Sequence, residues 1–95
     1  MLEKSIEARL SKAARKLGGL SLKLYSPSYV GMPDRIVLLP GGTCAFVEVK
    51  APGKRPRAVQ LRRHSELRGL GFRVYVLDDP ADVGRILGEI GGREG

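Results

Sequence analysis

Three charged side chains interrupt two apolar segments near the middle of this 95-residue chain. Asp34 comes directly before the apolar residues 35–39, and Glu48 and Lys50 lie at the end of a second apolar segment. Two carboxylates at short range repel each other unless a cation lies between them, and a hard divalent cation prefers such oxygen ligands. A bound cation could hold a phosphate ester, and a neighbouring lysine could offset charge during its hydrolysis. The residue types therefore indicate metal-dependent phosphoryl chemistry.

A β-hairpin would bring these three residues together. RIVLL and CAFVEV are strand-like segments, and they are separated by the turn residues PGGT. With the turn centred between its two glycines, Asp34 faces Val49 and lies beside Glu48 and Lys50. Strand alternation places Glu48 and Lys50 on the face of Phe46, opposite the face of Val49. A register shift of one residue would still leave the three charges close.

The rest of the chain supplies the elements that support this hairpin. In chain order we predict a helix over 2–17, a strand over 20–25, the two hairpin strands, a helix over 58–70, a strand over 72–78 and a short helix after Asp79. Residues 26–33 are rich in turn formers and are expected to form a mobile loop. The order αβββαβα predicts a mixed α/β fold with helices packed on one sheet. We expect one domain, with a folded core over 1–90 and a flexible tail over 91–95.

The charge balance indicates a polyanionic partner. The chain has 17 Lys and Arg against 10 Asp and Glu, a formal net charge of +7. Residues 50–73 carry eight basic residues and one acid, an excess equal to that of the whole chain. A phosphate backbone held along this segment would reach the charged end of the hairpin. Only 3 Tyr and 2 Phe are present, which argues against a base-stacking platform for single strands.

Other features argue against several classes of protein. No apolar segment approaches the roughly 20 residues of a membrane span, and the N-terminal residues carry carboxylates where a signal peptide is apolar. The single Cys44 can form neither an internal disulfide nor a cysteine metal cluster. We therefore expect a cytoplasmic protein.

Longer motifs surround the three charged residues. Their order is GGL after the first helix, GMPDRIVLLPGG into the hairpin, FVEVKAPGKRPR at its end, then QLRRHSEL and GFRVYVLD. PD at 33–34, followed 14 residues later by EVK at 48–50, resembles the motif of the PD-(D/E)XK nuclease superfamily. The whole pattern, over residues 3–87, resembles the minimal stand-alone form of the virus-type replication-repair nuclease (VRR-NUC) domain.

The resemblance carries expectations about fold and activity. It implies a restriction-endonuclease-like αβββαβ core with an extra C-terminal helix. It also implies a structure-selective endonuclease that cleaves Holliday junctions or other branched duplex DNA with a metal-activated water. Asp34, Glu48 and the Val49 carbonyl would bind Mg²⁺, which Mn²⁺ could replace, and Lys50 would act in catalysis. A homodimer is implied, since a two-fold pair presents two equal sites to a symmetric junction.

Residues outside the hairpin also receive roles from the resemblance. Glu7 matches a metal-side glutamate on the first helix, and Glu3 stays an alternative because both border the apolar stripe. Gln60 would lie beside the active site as a catalytic residue that orients the water or Lys50. His64 shares its helical face and is interpreted as a structural or substrate contact. The predicted DNA contacts are Lys23, Lys54, Arg55, Arg57, Arg62, Arg63 and His64.

Two other functions fit part of this pattern. A non-catalytic basic nucleic-acid-binding module explains the positive charge, but it gives no reason for Asp34 and Glu48 inside a basic surface. A nuclease that nicks DNA without selecting its structure fits the same residues. Improved DNA binding or stability with Mg²⁺ or Mn²⁺ would separate a nuclease from the non-catalytic module.

Overall fold

A computed structural model describes residues 2–92, and its elements follow the predicted order. They are α1 (Glu3–Lys16), β1 (Leu20–Lys23), β2 (Arg35–Leu39), β3 (Thr43–Val49), α2 (Ala58–Gly69), β4 (Val74–Leu77) and α3 (Val83–Ile90). A 3₁₀ turn, Pro80–Asp82, precedes α3, and the Asp79 carboxylate accepts a hydrogen bond from the Ala81 N–H. The αβββαβ core with an extra C-terminal helix is confirmed. Of the predicted tail, Gly91 and Gly92 form a turn, and residues 93–95 lie outside the described residues.

The four strands form one mixed sheet in the order β1-β2-β3-β4. The first three strands are antiparallel and connected by loops, whereas β3 and β4 are parallel. A parallel pair needs a crossover connection, and α2 provides it. The polar end of β3 therefore lies at the start of the segment that crosses over the sheet. None of the helices within residues 2–92 is long and apolar enough to cross a membrane.

The hairpin register differs by one residue from the prediction. Leu39 pairs with Thr43, so the connection has three residues, Pro40 to Gly42, and not a two-residue turn. Both glycines have positive φ, 92° and 81°, a conformation that other residues rarely adopt. Arg35 and Val47 form the last pair of the hairpin. The next residues toward its open end are Asp34 on one side and Glu48 on the other. Asp34 therefore lies beside Glu48 and not opposite Val49.

One face of the sheet, here called the closed face, is covered by α1 and α3. The strands contribute aliphatic side chains such as Val47 and Leu77, and α1 contributes Ile6 and Leu10, all of them fully buried. α3 adds a continuous apolar stripe of Val83, Ile86, Leu87 and Ile90. The apolar stripes of the two helices pack against the apolar face of the sheet, as the sequence predicted, and this layer forms the hydrophobic core.

The opposite face, here called the site face, carries Leu22, Ile36, Phe46 and Glu48, which are neighbours across the strands. α2 packs against β4 and contacts the Glu48 end of this face. The β1 end has no helix over it among the described residues. Here we define an apolar patch, formed by Leu20, Leu22, Leu38 and Phe72, whose members are 37–45% exposed.

Candidate active site

The two carboxylates predicted from the sequence lie together at the open end of the hairpin. Asp34 immediately precedes β2, and its backbone carbonyl accepts a hydrogen bond from the Leu24 N–H at 2.7 Å. The Asp34 carboxylate accepts a second hydrogen bond, from the Val49 N–H at 2.8 Å, and the Glu48 side chain lies beside it. Lys50 Nζ lies 3.7 Å from Glu48 Oε2. The structure thus brings Asp34, Glu48 and Lys50 into one cluster.

Glu48 is buried, with only 1% of its surface exposed, and α2 supplies partners for both of its carboxylate oxygens. Gln60 Nε2 donates to Oε2 at 3.1 Å, and His64 Nε2 lies 3.2 Å from Oε1. Gln60 and His64 are four residues apart and project from one side of the helix. A buried polar group is tolerated only when it is hydrogen-bonded, so these contacts satisfy both oxygens of Glu48 and fix the orientation of its side chain.

Gln60 lies in the site, as predicted, and its catalytic role stays a prediction. Its Oε1 accepts a hydrogen bond from the Arg57 N–H at 2.7 Å at the start of α2, while its Nε2 donates to Glu48. The amide is therefore held at both ends, and its contact in the site is Glu48 and not Lys50. Gln60 links the first turn of the helix to the carboxylate, which makes it a positioning residue in this geometry.

The predicted DNA contact of His64 is wrong for this structure, because its side chain is only 1% exposed. Burial lowers the pKa of His64, and the positive charges of Arg68 and Lys50 lower it further, against an opposing effect of Asp34. A neutral imidazole that donates from Nε2 to Glu48 leaves Nδ1 as an acceptor, and Nδ1 has no partner among the described residues. His64 therefore contacts Glu48 from the buried side of the site and is not accessible to a substrate.

Asp34 is the titratable group whose environment is most informative. Burial and the neighbouring Glu48 side chain raise its pKa to about 7, although the Val49 N–H and Lys50 act in the opposite direction. When one of two neighbouring carboxyl groups has a raised pKa, the pair holds a proton in the place that a cation could take. A divalent cation would satisfy both oxygen groups and remove this repulsion.

Glu7 lies on the side of α1 that faces the sheet, and it contacts Arg35. Its carboxylate is 3.7 Å from Arg35 Nη1, and the same guanidinium donates to Ser21 Oγ at 3.2 Å and Ser11 Oγ at 2.6 Å. Glu3 is exposed at the start of the helix. Glu7 therefore contacts Arg35, the residue that follows Asp34 in the chain. Its role as a metal ligand stays a prediction. Sequence reasoning missed Arg35, although its place directly after Asp34 in an alternating strand puts it on the α1 side.

The donor set suits a small hard cation. Among residues 2–92, no group of three or more His, Cys, Asp or Glu side chains is arranged to hold a metal ion. The protein side chains that can do so here are the Asp34 and Glu48 pair. Mg²⁺ is commonly held by one or two carboxylates with water in its other positions, so a pair of acids fits it. The Val49 carbonyl stays a predicted ligand, and the observed contact of Val49 is its N–H with Asp34.

The predicted DNA-binding residues fall into two groups. Lys54, Arg55 and Arg57 are exposed in the loop between β3 and α2, which begins at Lys50, and Arg62 and Lys23 are exposed elsewhere. Arg63 is different, because its guanidinium contacts the 26–33 loop: Nε donates to the Val30 carbonyl at 2.8 Å, and the group lies 3.9 Å from the Tyr29 ring centroid. The loop expected to be mobile is therefore packed on α2.

A carboxylate pair beside a lysine, at the end of a mixed sheet with the αβββαβ order, defines this chain as a nuclease domain of the restriction-endonuclease-like class. Comparisons with known proteins agree. The sequence is 49% identical over 85 residues to "Putative nuclease p44" of Acyrthosiphon pisum secondary endosymbiont phage 1, covering 90% of each chain.

A solved structure described as a VRR_NUC domain aligns with a TM-score of 0.84 at 31% identity. The alignment covers 92% of this chain and 96% of that one. No family model matches the sequence. The chain belongs to the VRR-NUC family of nuclease domains.

Proposed function

We propose that the protein is a divalent-metal-dependent endonuclease that cleaves Holliday junctions or other branched duplex DNA. The observation that carries this proposal is the contact between Asp34 and Glu48, with Lys50 beside them and a raised pKa on Asp34. Family membership supports nuclease chemistry. The resemblance that implies branched substrates and the exposed basic residues beside the site support DNA as the substrate.

Asp34 and Glu48 would hold Mg²⁺ or Mn²⁺, with the Val49 carbonyl and Glu7 as further proposed ligands. Such an ion, when bound, polarises a phosphodiester and lowers the pKa of a coordinated water. Lys50, whose side chain is 17% exposed, would orient that water or offset the negative charge that develops on the phosphate. Gln60 and His64 would keep Glu48 in its binding orientation, since they contact both of its oxygens.

The exposed basic residues would hold the DNA backbone. Lys54, Arg55 and Arg57 lie in the loop that begins at Lys50. Phosphates that they contact would therefore lie near the carboxylates. Arg62 and Lys23 would extend this surface. Because such contacts read charge and not sequence, this surface would bind DNA of any sequence.

The proposed homodimer would place two sites on one junction. The apolar patch lies on the site face of the sheet, with leucines on β1 and β2 and with Phe72 just before β4. This patch supports a contact between two copies, because contiguous apolar surface of this kind marks interaction sites. Light scattering should give a dimer mass for the wild type and a monomer mass for Leu22→Lys with Leu38→Lys. A monomeric wild type at micromolar concentration would remove the dimer.

The first experiment incubates the protein with a labelled four-way junction and a matched linear duplex, each with Mg²⁺, with Mn²⁺ and with chelator. We expect symmetric, metal-dependent cuts in the junction and none in the linear duplex, and no cuts by Asp34→Ala. Equal cleavage of both DNAs would indicate a nickase without structural selectivity. Binding without cleavage under every condition would indicate a nuclease fold that only binds nucleic acid.

The natural setting follows from the substrate. A branched-DNA endonuclease acts where DNA is replicated or recombined, and we propose the cytoplasm of a bacterial or phage-infected cell. The phage origin of the relative named as a nuclease supports this setting. Localisation of a tagged copy during phage infection, with foci over the replicating DNA, is the result expected.

A further inference from the structure

The loop of residues 26–33 lies between β1 and β2 and ends at the candidate active site. Its two ends are joined by the hydrogen bond from the Leu24 N–H to the Asp34 carbonyl at 2.7 Å. Asp34 is therefore the first residue after the loop. Any change in the position of the loop acts directly on the backbone that carries one of the two carboxylates.

Four residues fasten this loop to α2, and we call them the clamp: Tyr29, Val30, Arg63 and Glu66. Arg63 Nε donates to the Val30 carbonyl at 2.8 Å, and the guanidinium lies over the Tyr29 ring, 3.9 Å from its centroid. The Tyr29 hydroxyl donates to Glu66 Oε1 at 2.6 Å. Arg63 Nη1 lies 3.5 Å from the same oxygen. Arg63 thus contacts every other member of the clamp.

The loop also packs closely on the helix backbone at Gly31. A Cβ at this position would fall 2.9 Å from the Val59 carbonyl oxygen, and the φ of +95° is one that other residues rarely adopt. Two independent features, the clamp and this close approach, therefore hold the same loop against the same helix.

α2 consequently supports both carboxylates of the site. It contacts Glu48 directly through Gln60 and His64, and it holds the loop that leads into Asp34 through Arg63 and Glu66. We propose that Arg63 is a positioning residue for Asp34, not a DNA contact, and that the clamp sets the distance between the two carboxylates. This proposal rests on the proposed metal-dependent nuclease function.

The chemistry of Arg63 distinguishes the two roles. A DNA contact needs positive charge, which lysine retains, whereas the clamp needs a planar group that stacks on Tyr29 while donating to a carbonyl. Arg63→Lys should therefore restore DNA contact but not the clamp. Glu66→Ala separates the roles by sign: it removes a negative charge and releases Arg63, so it would strengthen DNA binding if Arg63 contacted phosphate.

The test compares Arg63→Ala, Arg63→Lys and Glu66→Ala with Arg85→Ala, an exposed arginine on α3 paired with Asp82 and Glu89. Two quantities are measured: the Mn²⁺ affinity of the DNA-free protein, by electron paramagnetic resonance, and the Kd for DNA in chelator. We expect all three clamp variants to lose roughly tenfold in Mn²⁺ affinity, with the Kd for DNA nearly unchanged. Arg85→Ala should change neither.

The opposite pattern would overturn the proposal. Arg63 would be a DNA contact if Arg63→Ala had a larger Kd for DNA, Arg63→Lys had the wild-type Kd, and the Mn²⁺ affinity of both were unchanged. Hydrogen exchange of residues 26–33 in the free protein gives a second readout that needs no cleavage: faster exchange in the clamp variants, with unchanged exchange in β3, is expected. Unchanged exchange in the loop would also sink the clamp.

The two proposals fail in different ways. A wild type that binds no Mn²⁺ and never cuts DNA removes the proposed function. A wild type that binds Mn²⁺ and cuts DNA, with clamp variants that do the same, removes only the clamp.

Discussion

The two faces of the sheet are built for different purposes. The closed face buries a continuous aliphatic layer between the strands, α1 and α3, and it also carries the polar contacts of Arg35 with Glu7, Ser11 and Ser21. The site face buries a carboxylate and an imidazole under α2 and leaves its other half uncovered. Apolar burial provides most of the favourable free energy of folding, whereas buried polar groups cost free energy unless every one is paired.

This difference shows how so short a chain can contain a charged site. The closed face supplies stability, so the site face can hold Asp34 and Glu48 close together, an arrangement that folding alone would disfavour. α2 limits the cost by giving both Glu48 oxygens a partner. A separation of this kind predicts that substitutions on the two faces change different quantities.

The largest expected effect lies on the site face and concerns cleavage. Lys50→Ala should lower the cleavage rate at saturating DNA by about 10²–10³-fold, because it removes the positive charge beside the carboxylates. The matched control is Lys23→Ala, at the exposed end of β1, which should weaken DNA binding by no more than a few-fold. Single-turnover cleavage and thermal unfolding of both variants provide the measurements. Equal losses of cleavage in the two variants would contradict a distinct role for Lys50.

The next largest effect compares leucines on the two faces. Leu10→Ala on the closed face should destabilise the protein by about 2–5 kcal/mol, since it removes a fully buried side chain and leaves a cavity. Leu22→Ala in the apolar patch, where the residue is 45% exposed, should cost about 0.5 kcal/mol. Urea denaturation at low protein concentration measures both. A Leu22→Ala cost that grows with protein concentration would indicate that a second copy covers the patch.

Much of this architecture follows from short-range patterns in the sequence. Alternation placed Glu48 and Val49 on opposite faces, and helical spacing placed Gln60 and His64 together on the inward side of α2. These inferences succeeded because each depends on the period of one element. The partner of the two polar residues, Glu48, was the carboxylate that most needed hydrogen bonds.

The sequence was less informative where the outcome depends on contacts between distant elements. The hairpin register depends on a three-residue connection in which both glycines have positive φ, and a two-residue turn fits the same letters. The packing of Tyr29 on Arg63 joins residues 34 positions apart and has no periodic signal. The leucines of β1 alternate like a half-buried strand, yet Leu20 and Leu22 are exposed because α2 covers the other end of the face.

A smaller effect concerns the pH dependence of stability without metal. The pKa of Asp34 is about 7 in the folded protein against an ordinary value of 3.8, so the folded form binds this proton more tightly than the unfolded form. The contribution is therefore fully favourable below pH 3.8 and is lost as pH rises to about 7. Asp34→Asn, which cannot ionise, should be about 1–2 kcal/mol more stable than wild type at pH 8 in chelator, after allowance for solvent screening.

The control for this prediction is Asp82→Asn, a partly exposed acid that pairs with Arg85 of α3. Urea denaturation at pH 5 and pH 8 gives the difference between each variant and wild type. For Asp34→Asn the difference should grow with pH, and for Asp82→Asn it should not grow. Adding Mn²⁺ at pH 8 should raise the stability of wild type and leave Asp34→Asn unchanged. A pH-independent difference for Asp34→Asn would mean that the folded protein does not raise the pKa of Asp34.

The smallest expected effect per residue belongs to the exposed basic loop, and it concerns the salt dependence of DNA binding. Arg55→Ala and Arg57→Ala should each weaken binding by a few-fold and lower the slope of log K against log salt by about 1, because each removes one phosphate contact. Arg63→Ala should leave the slope unchanged if its guanidinium belongs to the clamp. Binding titrations in chelator between about 50 and 200 mM salt, with Arg85→Ala as the control, measure the slopes. A slope change in Arg63→Ala equal to that of Arg55→Ala would make Arg63 a DNA contact, and α2 would then support only Glu48.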